Sequence, residues 1–156
     1  MSKCMFSASF FRSDLSDRWN TYENAGLYLL KEGLEIETPA PDLRLIDVPG
    51  RTAPLDLTEA LLAGHIHYKT RTITMRLAAV QKAGSPPVKW QTLCSSLLSR
   101  LHGQRLRCVL SNDPQFYYEG RWTVDFRQRS RWKADITITG ICDPYKVDLE
   151  TGERSL

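Results

Sequence analysis

Two stretches of this chain alternate apolar and polar residues over a length that only a half-buried β-strand accommodates. In the first, Ile73, Met75 and Leu77 alternate with Thr72, Thr74 and Arg76. In the second, Trp132, Ala134, Ile136, Ile138 and Gly140 fall on one side, and Lys133, Asp135, Thr137, Thr139 and Ile141 on the other. Successive strand residues point to opposite faces, so each stretch presents one face to a core and one to solvent. Leu106, Cys108 and Leu110 alternate in the same way with Arg105, Arg107 and Val109. After the turn signal Ser111-Asn112-Asp113-Pro114, the run Phe116 to Phe126 reads as a further strand. Phe116, Tyr118 and Gly120 share one face there, and Tyr117, Glu119 and Arg121 the other. Gly120 marks a bend or a close approach, and Gln128-Arg129-Ser130 marks the reversal that follows. Helical spacing dominates one segment, Val88 to Leu101, where Val88, Leu93, Leu97, Leu98 and Leu101, with Trp90 and Cys94, form an apolar stripe stopped by His102-Gly103. These patterns predict an α+β chain that is mainly β, with one main helix over about 88–101.

The remaining segments carry weaker signals. Cys4 to Phe11 is a candidate strand, and Ser13-Asp14 a cap for a short helix. Asn24-Ala25-Gly26 reads as a turn, and Leu27 to Ile36 as strand, turn at Lys31-Glu32-Gly33, and strand. Pro39 and Pro41 favour an edge or loop. Leu43, Leu45 and Ile46 suggest a short strand ending at Val48-Pro49-Gly50, and Asp56 to Leu62 at most two helical turns. Ala83 to Pro87 reads as a loop, and Asp143-Pro144-Tyr145 closes the last long strand. The 156 residues suit one domain and bury about two thirds of the unfolded surface. The expected division is an N-terminal extension over 1–20, a folded domain over 21–146, and a polar tail over 147–156. No stretch nears the ~20 apolar residues of a membrane helix, and the N-terminus lacks a signal-peptide core, so a cytosolically made protein is expected.

Charge is segregated along the chain. Residues 1–62 carry 6 basic and 10 acidic side chains, residues 63–133 carry 13 and 3, and residues 134–156 carry 2 and 5. The net values of −4, +10 and −3 sum to the overall +3. A basic middle between acidic ends fits nucleic-acid binding, head-to-tail pairing of copies, or neutralisation within one fold. The interleaved Arg121, Trp122, Phe126, Arg127, Arg129, Arg131 and Trp132 suggest a nucleic-acid surface, but alternating strands give the same composition with the aromatics turned inward.

Chemistry-bearing residues do not assemble into a catalytic pattern. His65 and His67 face the same way if they lie on a strand, but no third metal ligand is at hand and no acid occurs between Glu59 and Asp113. The four cysteines, Cys4, Cys94, Cys108 and Cys142, are widely spaced without a CxxC, so reduced, packed thiols are expected. Cys94 sits at a helix core position, which argues against reactivity. Asp113 and Glu119 could pair as carboxylates, but a turn acid and a solvated strand acid describe them better. Neither a nucleophile motif nor a phosphate loop is present, and no enzyme, cofactor or metal is expected.

Four phrases occur in a specific order. The first is Ile46-Asp47-Val48-Pro49-Gly50-Arg51 followed by Leu55 to Leu61 (LDLTEAL). The second is Tyr68-Lys69-Thr70-Arg71, and the third is the helix ending Leu101-His102-Gly103. The fourth is Ser111 to Arg121 (SNDPQFYYEGR), closing on Cys142-Asp143-Pro144-Tyr145-Lys146. With Asn24-Ala25-Gly26-Leu27, this series resembles the N-terminal domain of distal tail proteins, the baseplate hub family of long-tailed non-contractile bacteriophages and prophages. The likeness runs from about Thr21 to Lys146. It implies a split β-barrel or sandwich of tail-tube type with a flanking helix, and a virion structural protein made in the host cytoplasm. It also implies a ring, usually hexameric, at the end of the tail tube, contacting the tube protein and the hub and adsorption proteins, with DNA passing the lumen and no membrane contact. Many family members carry a second, galectin-like domain, so a ring-only version is expected here; residues 1–20 have no counterpart in the resemblance. A ring needs two complementary patches per copy, and the candidates are Arg71, Arg121, Arg127 and Arg129 against Asp47, Asp56 and Glu59. Arginines are not placed in the lumen, since a channel that grips phosphates would hold the DNA it must release. Two other readings stay open: another tail-tube-fold protein (tube subunit or tail completion protein), and a small basic nucleic-acid-binding module.

Overall fold

The computed structural model describes residues 6–80, 89–130 and 133–156. Cys4, the 83–87 loop, Val88, Arg131 and Trp132 therefore lie outside the described residues. In chain order the elements are β1 (Ala8–Phe11), a 3-10 turn (Leu15–Asp17), β2 (Trp19–Asn20), β3 (Tyr28–Ile36), β4 (Leu45–Ile46), β5 (Leu55–Asp56) and α1 (Thr58–Leu61). There follow β6 (Arg71–Val80), α2 (Trp90–Leu101), β7 (Arg105–Leu110), β8 (Asp113–Gln128), β9 (Lys133–Cys142), β10 (Lys146–Asp148) and β11 (Arg154–Ser155).

The two most strongly alternating segments are neighbours. β6 and β9 pair antiparallel from Arg71 opposite Cys142 to Val80 opposite Lys133, and β9 pairs β8 from Gly120 opposite Cys142 to Gln128 opposite Ala134. The main sheet runs β2-β1-β7-β8-β9-β6-β3, with β10 on β8 and β11 on β10, while β4 and β5 form a separate hairpin. The pairing is antiparallel throughout. This order corrects the split-barrel expectation. Among the described residues no ladder joins β2 to β3, so the sheet is open, and a two-residue β2 offers little edge with which to close it.

One face of the sheet holds the core: Phe10, Leu106, Cys108, Tyr118, Trp122, Ile136, Ile138, Ile73, Met75 and Leu77 are all buried. Helix α2 crosses β8 on that face and buries Trp90, Leu97 and Leu101, with Leu93 packed beside them. Its C-terminal end is tied to the strand: Gly103 N–H donates to Trp122 O (2.7 Å), Trp122 N–H to Gln104 O (3.0 Å), and Val124 N–H to His102 Nδ1 (3.1 Å). The other face presents Thr72, Thr74, Thr123, Thr137 and Thr139 with charged residues, as the alternation predicts.

The structure departs from expectation at four places. Residues 8–20 are part of the sheet rather than an extension, because β1 pairs β7 from Ala8 opposite Leu110 to Phe11 opposite Arg107. Ala8 N–H donates to Thr21 Oγ1 and Thr21 N–H to Ala8 O, both at 3.0 Å, so no boundary falls at residue 20. Residues 147–156 are likewise engaged, with Val147 opposite Tyr117 and Asp148 opposite Phe116. Lys31-Glu32-Gly33 is a bulge inside one continuous β3, whose register slips between Leu29 and Leu34, with Glu32 at φ 55°. The hairpin turn is Ser111-Asn112, so Asp113 and Pro114 already belong to β8 and Leu110 faces Asp113.

Candidate assembly surface

Between β3 and β6 the chain leaves the sheet and returns 34 residues later, counting from Glu37 to Thr70. This arm is anchored at its base. Glu37 N–H donates to Thr72 O (2.9 Å) and Thr72 N–H to the Glu37 carboxylate (3.2 Å). Asp42 N–H donates to His67 O (2.7 Å) and Lys69 N–H to Ala40 O (2.8 Å), beside the Pro41–Tyr68 bridge. Farther out, Thr58 organises the fold of the arm. Its buried hydroxyl accepts from Arg44 N–H (2.9 Å) and donates to Asp56 Oδ1 (2.6 Å), which also takes Thr58 N–H (3.0 Å). Those two donors hold the Asp56 carboxyl below the usual carboxylate range, because they favour its charged form.

The arm is too thin to bury its own apolar residues. Leu61 is 60% exposed, and Leu43, Leu45, Ile46, Val48 and Ile66 are exposed as well. An open cleft of about 760 Å³ lies in the arm, walled by Leu43, Ile66 and Tyr68 together with Asp56 and Glu59. Asp47 and Glu59 are exposed beside this apolar surface.

The basic candidates divide. Arg71 is buried on the core side: it donates to Pro144 O (2.7 Å) and lies over the Tyr118 ring, so it is withdrawn from any surface. Arg121 and Arg127 project from the outer face of β8, and Arg129 at the end of β8 pairs with Asp135 (2.6 Å). Arg121 donates to Gly103 O (2.9 Å). On that face Arg105, Arg121, Ile141 and Thr72 occupy one cross-strand row. Ile141 is 60% exposed, an apolar residue in the polar phase of β9. That misfit was visible in the alternation, and it is the signal by which Ile141 could have been singled out. Trp122 and Phe126 turn inward, away from Arg121 and Arg127 on the outer face.

The other candidates separate. His65 and His67 lie in a loop rather than on a strand, next to Tyr68 and Tyr145. Among the described residues no cluster of three or more His, Cys, Asp or Glu could hold a metal. Asp113 pairs with Lys146 (2.8 Å), whereas Glu119 lies 3.9 Å from both Arg105 and Arg107, so the two carboxylates serve different cations. Cys94 is half-buried rather than a core residue. No described helix is long and apolar enough to cross a membrane.

Ion pairing resolves the charge pattern. Among the described residues, Arg18 pairs with Glu23 and Arg44 with Asp42 inside the first segment. Arg105, Arg107, Arg129 and Lys146 pair with acids at 113–143. Three of these, Arg105–Asp143, Arg129–Asp135 and Lys146–Asp113, join the middle segment to the C-terminal one, whereas among the described residues no pair runs from an acid of residues 1–62 to a base of residues 63–133.

No protein-family model matches the chain, and no curated protein matches it either. A solved structure does: the Dit protein of phage SPP1, described as a paradigm of the hub adsorption apparatus in phages that infect Gram-positive hosts. The fold likeness has a TM-score of 0.61 at 15% identity, covering 92% of this chain. The chain spans 52% of the length of that protein. At this identity the likeness establishes the fold.

Proposed function

We propose that this chain is a non-catalytic structural component of a phage tail hub, a distal tail protein that closes into a hexameric ring at the end of the tail tube. The observation that carries the reading is the agreement over nearly the whole chain with a hub protein fold, TM-score 0.61 over 92% of the residues. The ordered phrases from Ile46 to Lys146 point independently to the same family. The exposed apolar arm and the acids of residues 1–62, none of which pairs with a base of residues 63–133 among the described residues, add support, since a self-assembling ring needs two unlike patches on each copy. The ring passes DNA without gripping it, and it bridges the tube protein to the adsorption proteins.

Solution mass measurement with negative-stain imaging, on the chain alone and co-expressed with a tail tube protein, tests this. Rings of discrete mass are expected. Stacked tubes would replace the hub reading with a tube subunit. A monomer whose DNA affinity falls steeply with salt would replace it with a nucleic-acid module. A monomer under both conditions would overturn the ring.

A further inference from the structure

We propose that the 37–70 arm of one copy docks on the outer face of β8 and β9 of the next, its apolar surface covering Ile141 and its acids meeting Arg121; this rests on the ring reading above. Two exposed surfaces of one chain are complementary. The arm carries Leu61, Ile66 and Leu45 exposed, with Asp47 and Glu59 among them. The sheet face carries Ile141, 60% exposed, with Arg121 directly opposite it on β8 and Arg105 next in the row. Contiguous exposed apolar surface on a small domain marks a contact site, and acids facing arginines set its register and exclude wrong partners.

The occupant is a second copy and not the same chain. The arm leaves the sheet beside Thr72, which faces Ile141, yet Ile141 stays 60% exposed. No acid of the first segment pairs with a base of the middle one within the described residues. An arm and a sheet face are different surfaces, so the contact is heterologous: each copy offers an arm to one neighbour and a face to the other, the kind of contact from which a closed ring is built.

Complementation tests the arrangement. Leu61→Asp damages the arm and Ile141→Asp the face, and both positions are exposed, so melting curves should match the wild type. Each variant alone is expected to run as a monomer. Mixed in equal amounts they should form dimers that stop there, because one intact arm and one intact face make one contact. Arg121→Glu should weaken the ring, and adding Asp47→Arg and Glu59→Arg to it should restore assembly. If the wild type forms rings and both single variants form them equally well, the docking is wrong and the ring stands. If the variants are monomeric but their mixture gives no dimer, the contact is not arm to face. If the wild type stays monomeric even with the tube protein, the ring reading fails and the docking with it.

Discussion

Trp122 lies flat against Gly140 across the β8–β9 ladder: a Cβ on Gly140 would sit 2.6 Å from ring atoms Cε3 and Cζ3. The indole is fully buried, its Nε1–H donates to Leu106 O (3.0 Å), and Phe10 meets it edge to face at 5.0 Å. The glycine makes room for a ring that joins β7, β8, β9 and β1. Gly140→Ala should therefore cost about 1–3 kcal/mol, the usual range for an overpacked core. In a Trp122→Leu background the added methyl has space, so the cost should largely vanish. Denaturant titrations of the two singles and the double read this coupling, and additive costs would mean the ring does not rest on Gly140.

Gly120 works by close approach rather than by a bend. A Cβ there would overlap Ile141 O and sit 2.6 Å from Cys142 Cα, both backbone, which cannot move aside without breaking the ladder. Gly120→Val is expected to prevent folding or lower the melting temperature by about 10 °C or more, given that a 1 kcal/mol loss shifts a domain of this size by roughly 2–4 °C. Glu119→Gln should stay within about 0.5 kcal/mol of wild type, since its arginine contacts are long and partly solvated. A wild-type melting curve for Gly120→Val would remove the close approach.

The long strands were legible because one face of each is solvated, so Ile73 to Leu77 and Ala134 to Ile138 alternate cleanly. β1 was legible only as a candidate strand within Cys4 to Phe11, and its place in the sheet was not, because all four of its residues, Ala8 to Phe11, are buried and no alternation survives. Ser9 is polar and buried, satisfied by the Asn20 amide (3.0 Å), a partner that local pattern does not reveal. The bulge at Glu32 and the turn at Lys31-Glu32-Gly33 have the same composition; only the register against Met75 and Leu77 separates them. Arg71 illustrates the limit at the candidate surface. It occupies the inward phase of β6 in line with Ile73, and its partners, the carbonyl of Pro144, 73 residues away in sequence, and the ring of Tyr118, are not visible in the local pattern.

Leu97 is fully buried between α2 and the sheet, whereas Leu98 is 39% exposed. Leu97→Ala should cost roughly 2–5 kcal/mol, the usual range for a buried leucine, and Leu98→Ala under about 1 kcal/mol. Urea midpoints for the pair check the face assignment, and equal shifts would refute it.

Cys108 and Cys142 are buried, and burial pushes both thiols up, Cys142 to about 12. Asp143 adds to the shift at Cys142, while Arg71 and Arg105 oppose it. At pH 8 both should stay as thiols, so a thiol reagent should label them only as fast as the chain unfolds. Half-buried Cys94 should label before either of them. In a Cys4→Ser, Cys94→Ser chain, rapid labelling under native conditions would place one of the remaining thiols in solvent.

Acid should loosen the surface turns before the core. Asp56 accepts from Thr58, Asp14 from the Ser16 N–H (2.8 Å) and hydroxyl, and Asp148 from Glu150 and Thr151 N–H groups (2.8 and 3.0 Å). Each carboxyl is held below its ordinary value by these donors, so the folded state binds fewer protons than the unfolded one. The stabilisation is complete above the unfolded value near about 4 and is lost as pH falls through the lowered folded value. NMR titration of the aspartate carboxyl carbons should give midpoints below those of short peptides for these three residues. For Asp56 the consequence reaches the arm, because protonation weakens the bonds from Thr58 that start α1. Asp56→Asn should therefore make the amide shifts of residues 56–61 less sensitive to acid while leaving the main-sheet amide shifts in place, and an unchanged acid response in the arm would detach its order from this carboxylate.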